Sequence, residues 1–441
     1  MMVEGQISSS KQQTKAATQS GAFFCLSAFY FVYSARPEDW VPFLGVVPLA
    51  KVTGVITLVA ALLSAGKTPR KIKDLPKEAL YLLLLIAIMF VSSVLSPVWR
   101  SGAFFDTVDF AKIIIAWVLT FLLVTTLSRF RRIVFIQAAS VVVIAIVAII
   151  KGHSEQRLSG VIGGIYSNPN DLALAIVLSL PFCLAFLLTA KSGIHKTAWS
   201  FGITLMMAAL FMTGSRSGFI DLIACGAVAL WHFGVKGRRL FLIVGVGLIG
   251  LLSFLVLGKT LTQRFSSISN ATNADEDEAR ASYIERKQLM DASLEAIARY
   301  PVLGLGTNCL QYSGLWKEVH MAYLQMAAEC GIPAFILYLL YFYRGFVNLR
   351  RIRRAHPDAE TRLFAGALYS SLIGFVVGAS FAPIAYHYFP YFAVCYTAVL
   401  AAIVAEQQPA EASAQRLSPS HQFRFAGVYS ARSDSRAFPS R

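Results

Sequence analysis

The chain has 441 residues, 56% of them hydrophobic and 15% charged, with 40 Lys and Arg against 24 Asp and Glu and a mean hydropathy of +0.59. Soluble domains carry about 25% charged and roughly 45–50% apolar residues, so this composition excludes a disordered chain, a small disulfide scaffold and an ordinary cytosolic enzyme. The net charge of +16 would suggest nucleic acid in a soluble protein. In a membrane protein it records which loops stay in the cytoplasm, and no nucleic-acid partner is expected.

In chain order, residues 1–20 are polar and read as a cytoplasmic tail, with no cleavable signal peptide. A transmembrane helix needs about 20 mostly apolar residues. Candidates are 21–35, 41–65, Ala79–Trp99, 106–127, Ile133–Ile150, Leu172–Ala190, 198–213, 217–233, Leu240–Gly258 and 319–343. The stretch Leu363–Ala405 is uncharged and too long for one helix; Pro383 and Pro390, around Tyr386-His387-Tyr388, divide it in two. The expected fold is therefore all-α, a polytopic membrane bundle of about twelve transmembrane helices. Spans one to nine occupy 21–258 and spans ten to twelve occupy 319–406, with a large external loop at 259–318 containing short helices. Residues 407–441, rich in Ser, Ala and Arg, read as a disordered cytoplasmic tail.

With the N-terminus inside, most of the 40 basic residues fall in cytoplasmic segments. Much of the external remainder lies in the long 259–318 loop, which is a poor witness to orientation. The six cysteines, 25, 183, 225, 309, 330 and 395, show no metal-ligand spacing and read as small core residues.

The unusual residues sit on the external side. Between spans five and six run Glu155-Gln156-Arg157 and Ser167-Asn168-Pro169-Asn170-Asp171; spans seven and eight are joined only by Thr213-Gly214-Ser215-Arg216-Ser217-Gly218. Arginine at membrane level is costly and marks function, although snorkelling to lipid phosphate would place Arg216 equally well. The small hydroxyl and glycine residues around it leave room and donors for an anion.

The long loop opens with Gln263-Arg264-Phe265 and an acidic stretch, Asn270–Glu278. Then Tyr283, Lys287, Met290, Leu294 and Ile297 recur at helical spacing and predict an amphipathic helix with one mostly apolar stripe. A helix lying on the membrane, capping a cavity or simply packed on the bundle would carry the same pattern. Pro301 stops it, and Gly304-Leu305-Gly306-Thr307-Asn308 follows as a tight turn.

Of seven histidines, His153, His320 and His387 are external. His320 opens span ten, directly after the long loop. An interfacial histidine satisfied by its neighbours fits that position. Near an arginine cluster, however, a neutral imidazole is favoured and can take a proton from a hydroxyl. The external mouth thus gathers Arg157, Arg216, His320 and the loop arginines Arg264, Arg280 and Arg286. Arginines bind phosphate bidentately, which suggests transfer from a phosphate-activated donor. No conventional metal motif or glycine-rich nucleotide loop is present.

These pieces, Arg157 with Asn168-Pro169-Asn170, Thr213 to Gly218, Pro301-Val302-Leu303-Gly304-Leu305-Gly306, and His320-Met321-Ala322-Tyr323-Leu324 running to Glu329-Cys330-Gly331-Ile332, together resemble the O-antigen ligase and polymerase superfamily of bacterial envelope glycosyltransferases. The family often has Asn directly after the histidine, where this chain has Met321. The resemblance implies a multi-pass protein of the bacterial inner membrane with its active site facing the periplasm. It implies a glycan donor on undecaprenyl pyrophosphate, and lipid A core or a growing polysaccharide as acceptor, within the surrounding membrane lipids. Transfer would be metal-independent, need no cofactor and invert the anomeric centre. By position, His320 and Arg216 would be catalytic, and Arg157, Asn170, Arg264, Arg280, Arg286, Gly304 and Gly306 would bind substrate. The alternative from another class is a secondary transporter or a flippase for lipid-linked sugars. Its midplane charges would be Asp109 and Lys112, Asp221 and Lys51, but no repeat of the Arg216 or His320 motifs links the two halves.

Overall fold

The computed structural model describes residues 21–64, 68–152, 166–237, 273–312, 321–355 and 357–417, with a few isolated positions between them; side chains of 42, 273–283 and 408–417 lie outside that description. All regular structure among the described residues is helical. The longer helices are α1 (21–35), α2 (Leu49–Leu63), α3 (Lys77–Val94), α4 (Arg100–Leu123), α5 (Leu127–Lys151), α6 (Pro169–Thr189), α7 (Gly193–Thr213), α8 (Arg216–Ala229), α9 (Asn273–Arg299), α10 (Ala322–Arg354), α11 (Ala359–Gly378) and α12 (Tyr388–Leu417). A π-helical segment, Leu230–Val235, continues α8.

Seven of these are long and apolar enough to cross a membrane: α3, α5, α6, α8 with its π-helical extension, α10, α11 and α12 through Gln407. The expectation of about twelve spans is not met at that standard. α1 has the length of the first predicted span but is short, and α2 has only 15 residues. α4 carries Arg100, Asp106, Asp109 and Lys112. The predicted span Leu240–Gly258 falls almost entirely outside the described residues. α12 runs to Leu417, past the expected end of the last span at 406.

The core forms where α6 packs on α5, α7, α8 and α11, and where α10 joins α3 to α11. Aromatic residues fill it: Tyr391 lies between Phe110, Tyr341 and Phe342 at centroid distances of 5.2–5.3 Å. Most of their hydroxyls are paired inside, as burial favours, while that of Tyr338 has no partner among the described residues. Tyr341 donates to the Tyr391 carbonyl at 2.7 Å, and Tyr396 to Gln137 Oε1 at 2.5 Å. Large side chains that stay exposed, such as Val55, Leu62, Leu83 and Phe105, are at no disadvantage against lipid tails.

Hydrogen bonds and packing gather one set of helix ends. The turn after α3 bonds to the 304–310 segment, Ala322 N–H of α10 donates to the Ala379 carbonyl at 2.8 Å, and Gly378 packs on Leu174 of α6 and Asp221 of α8. The opposite end holds a buried ion pair. Glu78, 0% exposed, accepts from Arg344 Nε at 2.9 Å and from Asn348 Nδ2 at 3.1 Å. Arg344→Ala strands that carboxylate and is expected to lower stability by about 3–5 kcal/mol. Thermal unfolding in detergent would show it, with much of the loss recovered in Glu78→Gln/Arg344→Met.

Candidate functional site

Two helix N-termini meet at the first set of ends. α6 begins with Pro169 at its first position, and the Asn168 side chain caps it by accepting from Asn170 N–H at 2.9 Å. α8 begins with Arg216. Gly214, at φ +58°, reverses the chain, and the Ser215 hydroxyl accepts from Gly218 N–H at 3.1 Å. The same Ser215 Oγ donates to Asn170 Oδ1 at 2.8 Å, tying the two helix starts together. A Cβ on Gly218 would fall 2.6 Å from the Ala173 Cβ, so only glycine lets α8 approach α6 this closely. Aligned peptide dipoles make each helix start a locus of partial positive charge, although α6 sets Asp171 in its first turn. Arg216 adds a full charge there. It is exposed, and α8 has no acidic residue in its first turn. Sequence reasoning named Arg216 and Asn170, and the structure brings them to one place. Ser215, the connector, was read only as small and polar.

The predicted glycine turn is the second component. Gly304 and Gly306 adopt φ +67° and +102°, a region L-residues rarely enter. The turn docks on α10 like a short strand without a partner sheet: Leu305 N–H donates to the Ala328 carbonyl at 3.0 Å and Gly306 N–H to that of Glu329 at 2.8 Å. α10 can accept because it is broken at Gly331, φ +85°, which frees carbonyls one turn earlier. Inside the break, Glu329 is 2% exposed. Its carboxylate accepts from Leu310 N–H at 3.2 Å, Asn308 N–H at 3.0 Å and the Tyr386 hydroxyl at 2.6 Å. Burial, then the Cys330 thiol and the Glu329 carboxylate, hold Tyr386 well above the ordinary tyrosine range. It therefore stays a neutral donor. Thr307 continues the network to Thr107 at 2.7 Å and Ser93 at 3.2 Å. The two glycines therefore shape a turn that α10 holds from beneath. The signal for Glu329 was an acid followed by Cys-Gly in an apolar helix.

α9 confirms the expected helix in the long loop but turns another face inward. Leu289, Ser293 and Ala296 are buried, whereas Met290 and Leu294 of the predicted stripe are 39% and 50% exposed. Small Ser and Ala let α9 sit close to the 305–310 turn, where Ala296 joins Leu305, Leu310 and Ala328. Packing against a turn favours small side chains over the longest apolar ones. Arg286 on α9 is exposed. Arg280 lies in the same helix, its side chain outside the description, and Arg157, Arg264 and His320 lie outside the described residues altogether. His387, in the turn between α11 and α12, is driven down to about 4 by burial and is a neutral imidazole at physiological pH. Of the charges weighed for transport, Asp109 and Lys112 pair with each other at the surface, and Asp221 is buried against Gly378.

Long apolar helices with a polar, glycine-shaped cluster at one set of ends define a multi-pass membrane protein built around that cluster. Residues 201–339 match the family model described as O-antigen ligase, which supports the superfamily resemblance carried by the motifs. The matched segment includes Arg216, α9, the glycine turn and the break in α10; Asn170 and Tyr386 lie beyond it. No curated protein sequence matches the chain.

Proposed function

We propose that the chain is a glycosyltransferase of the bacterial inner membrane that moves a glycan from undecaprenyl pyrophosphate to an acceptor hydroxyl at the periplasmic face. The observation that carries this reading is Arg216 at the joined N-termini of α6 and α8, inside the segment matching the O-antigen ligase model. An exposed cation and helix dipoles suit a pyrophosphate. As the acceptor oxygen bonds to the anomeric carbon, the carbon–oxygen bond to phosphate breaks. Its electron pair leaves with the pyrophosphate, and the hydroxyl proton passes to His320. Positive charge at the leaving group lowers that barrier electrostatically. Arg157, Arg264, Arg280 and Arg286 are assigned to the donor by their charge and by the motif resemblance, and Asn170 holds the Ser215 cap beside it. Direct displacement from one face inverts the anomeric centre.

The test is to reconstitute the full chain in vesicles with radiolabelled lipid-linked glycan and, separately, lipid A core, a polysaccharide repeat and a protein acceptor. Label moving onto one acceptor class is the expected result and assigns it. Translocation of the donor across the vesicle with no acceptor consumed would overturn transfer in favour of transport.

A further inference from the structure

We infer that Trp99, Asp106, Asn308, Gln311 and Tyr312 form a sugar-binding subsite, which takes the neutral, hydroxyl-bearing part of a substrate rather than its phosphate. This rests on the glycosyltransferase reading for its place in the reaction, though not for its chemistry.

Trp99 is the residue just before α4, and Asp106 lies in the second turn of that helix. Trp99 is 46% exposed, and its indole lies on Gly102, where a Cβ would fall 2.2 Å from the ring. Tyr312 meets the same indole edge-on, centroids 4.9 Å apart. This pair is an aromatic surface fixed from two sides. Beside it, Asp106 Oδ2 accepts from Asn308 Nδ2 at 3.1 Å, and the Asn308 carbonyl accepts from Gln311 Nε2 at 3.3 Å. Asn308 is held in the left-handed region, φ +59°, by the Glu329 carboxylate on its N–H. That is strain in a non-glycine residue maintained by a buried charge.

The bonds leave Asp106 Oδ1, Asn308 Oδ1 and Gln311 Oε1 without partners among the described residues, and all three side chains are half-buried rather than sealed. Three acceptors beside an aromatic face match a pyranose, whose hydroxyls donate and whose C–H face packs on a ring. The same carboxylate repels phosphate. Neighbouring Arg100 donates to the Ser96 carbonyl at 3.3 Å and so is turned toward the backbone. Charge thus sorts a two-part ligand, with phosphate drawn to Arg216 and sugar to Asp106.

The experiment measures equilibrium binding to the full chain in nanodiscs. Its probe is the radiolabelled glycan of the native lipid-linked donor, cut from its pyrophosphate by mild acid and so free of phosphate. The native chain should bind it. Asp106→Ala should weaken binding at least about tenfold, the factor of one hydrogen bond to a charged group, and Asn308→Gly about two- to tenfold, that of a neutral one. Binding of inorganic pyrophosphate and the unfolding temperature should remain as in the native chain. Glycine accepts φ +59° without strain, so Asn308→Gly decides the matter if Asp106→Ala fails to fold. No binding by the native chain, or unchanged affinity in Asn308→Gly, overturns the subsite. Glycan binding with no transfer in any assay sinks the transferase reading and leaves the subsite standing. Normal transfer with an unchanged KM in both variants removes the subsite alone.

Discussion

Arg216→Ala should abolish glycan transfer, by at least about a hundredfold, while the protein inserts and unfolds as before. Most charged residues at such a site also support the fold, and their loss is ambiguous. Arg216 is different. It makes no hydrogen bond or ion pair among the described residues, and it sits in the first turn of α8, where the helix dipole opposes a cation by about 0.3–1 kcal/mol. Removing it should leave stability unchanged or slightly raised. A residue that is unfavourable for its own helix and exposed at its end makes physical sense once an anion binds there. Transfer from labelled donor, measured beside thermal unfolding, separates the two effects. Arg216→Lys should recover part of the activity, because lysine restores the charge but not the planar fork that grips two phosphate oxygens. Full transfer by the alanine variant would remove the pyrophosphate role.

Composition and hydropathy made the helical class legible, because a chain with 15% charged residues has few places to interrupt a span. Helix starts were less legible: the spans were expected from Leu172 and from 217, whereas the structure begins its helices at Pro169 and Arg216, where Asn168 and Ser215 supply the caps. The span count of about twelve is not reached among the described residues, in part where length and charge disagree. α4 is 24 residues long yet carries the polar residues that tie it to the glycine turn. The apolar stripe of α9 did not say which face packs inward: periodicity finds the most hydrophobic face, whereas Ser293 and Ala296 are buried and Ala296 and Ile297 meet the turn. The site was legible as residue types and not as connections. Nothing local in the sequence says that Ser215 bonds to Asn170, 45 positions away, or that Tyr386 bonds to Glu329, 57 positions away. Such pairs exist only once the bundle has assembled.

Glu329 is where that assembly concentrates, and its replacement carries the largest effect on stability. Glu329→Ala removes the acceptor for Leu310 N–H, Asn308 N–H and the Tyr386 hydroxyl together. Three bonds to one buried carboxylate are lost together, at about 1.5–3 kcal/mol for each hydrogen bond to a charged group, so a loss above about 3 kcal/mol is expected. The backbone cannot relax to compensate. A Cβ at Gly331 would fall 2.2 Å from the Val302 carbonyl oxygen, which shows how tightly the turn and the broken helix are pressed together. Glu329→Gln should cost less than alanine and more than Tyr386→Phe. Its carbonyl can still serve the Asn308 N–H and the Tyr386 hydroxyl, but its NH₂ then confronts the Leu310 N–H, donor against donor. Tyr386→Phe leaves both backbone bonds in place and forfeits one hydrogen bond to a charged group, about 1.5–3 kcal/mol. Unfolding temperatures in one detergent should therefore rank native, Tyr386→Phe, Glu329→Gln, Glu329→Ala. Equal stability for the glutamine variant and the native chain would mean that the carboxylate's charge is not what holds the turn. The ranking also bears on function, since this carboxylate keeps Asn308 in its strained conformation and Gly304 and Gly306 against α10. Loosening it should blur the sugar side of the site, while Arg216, anchored on α8 and α6, stays where it is.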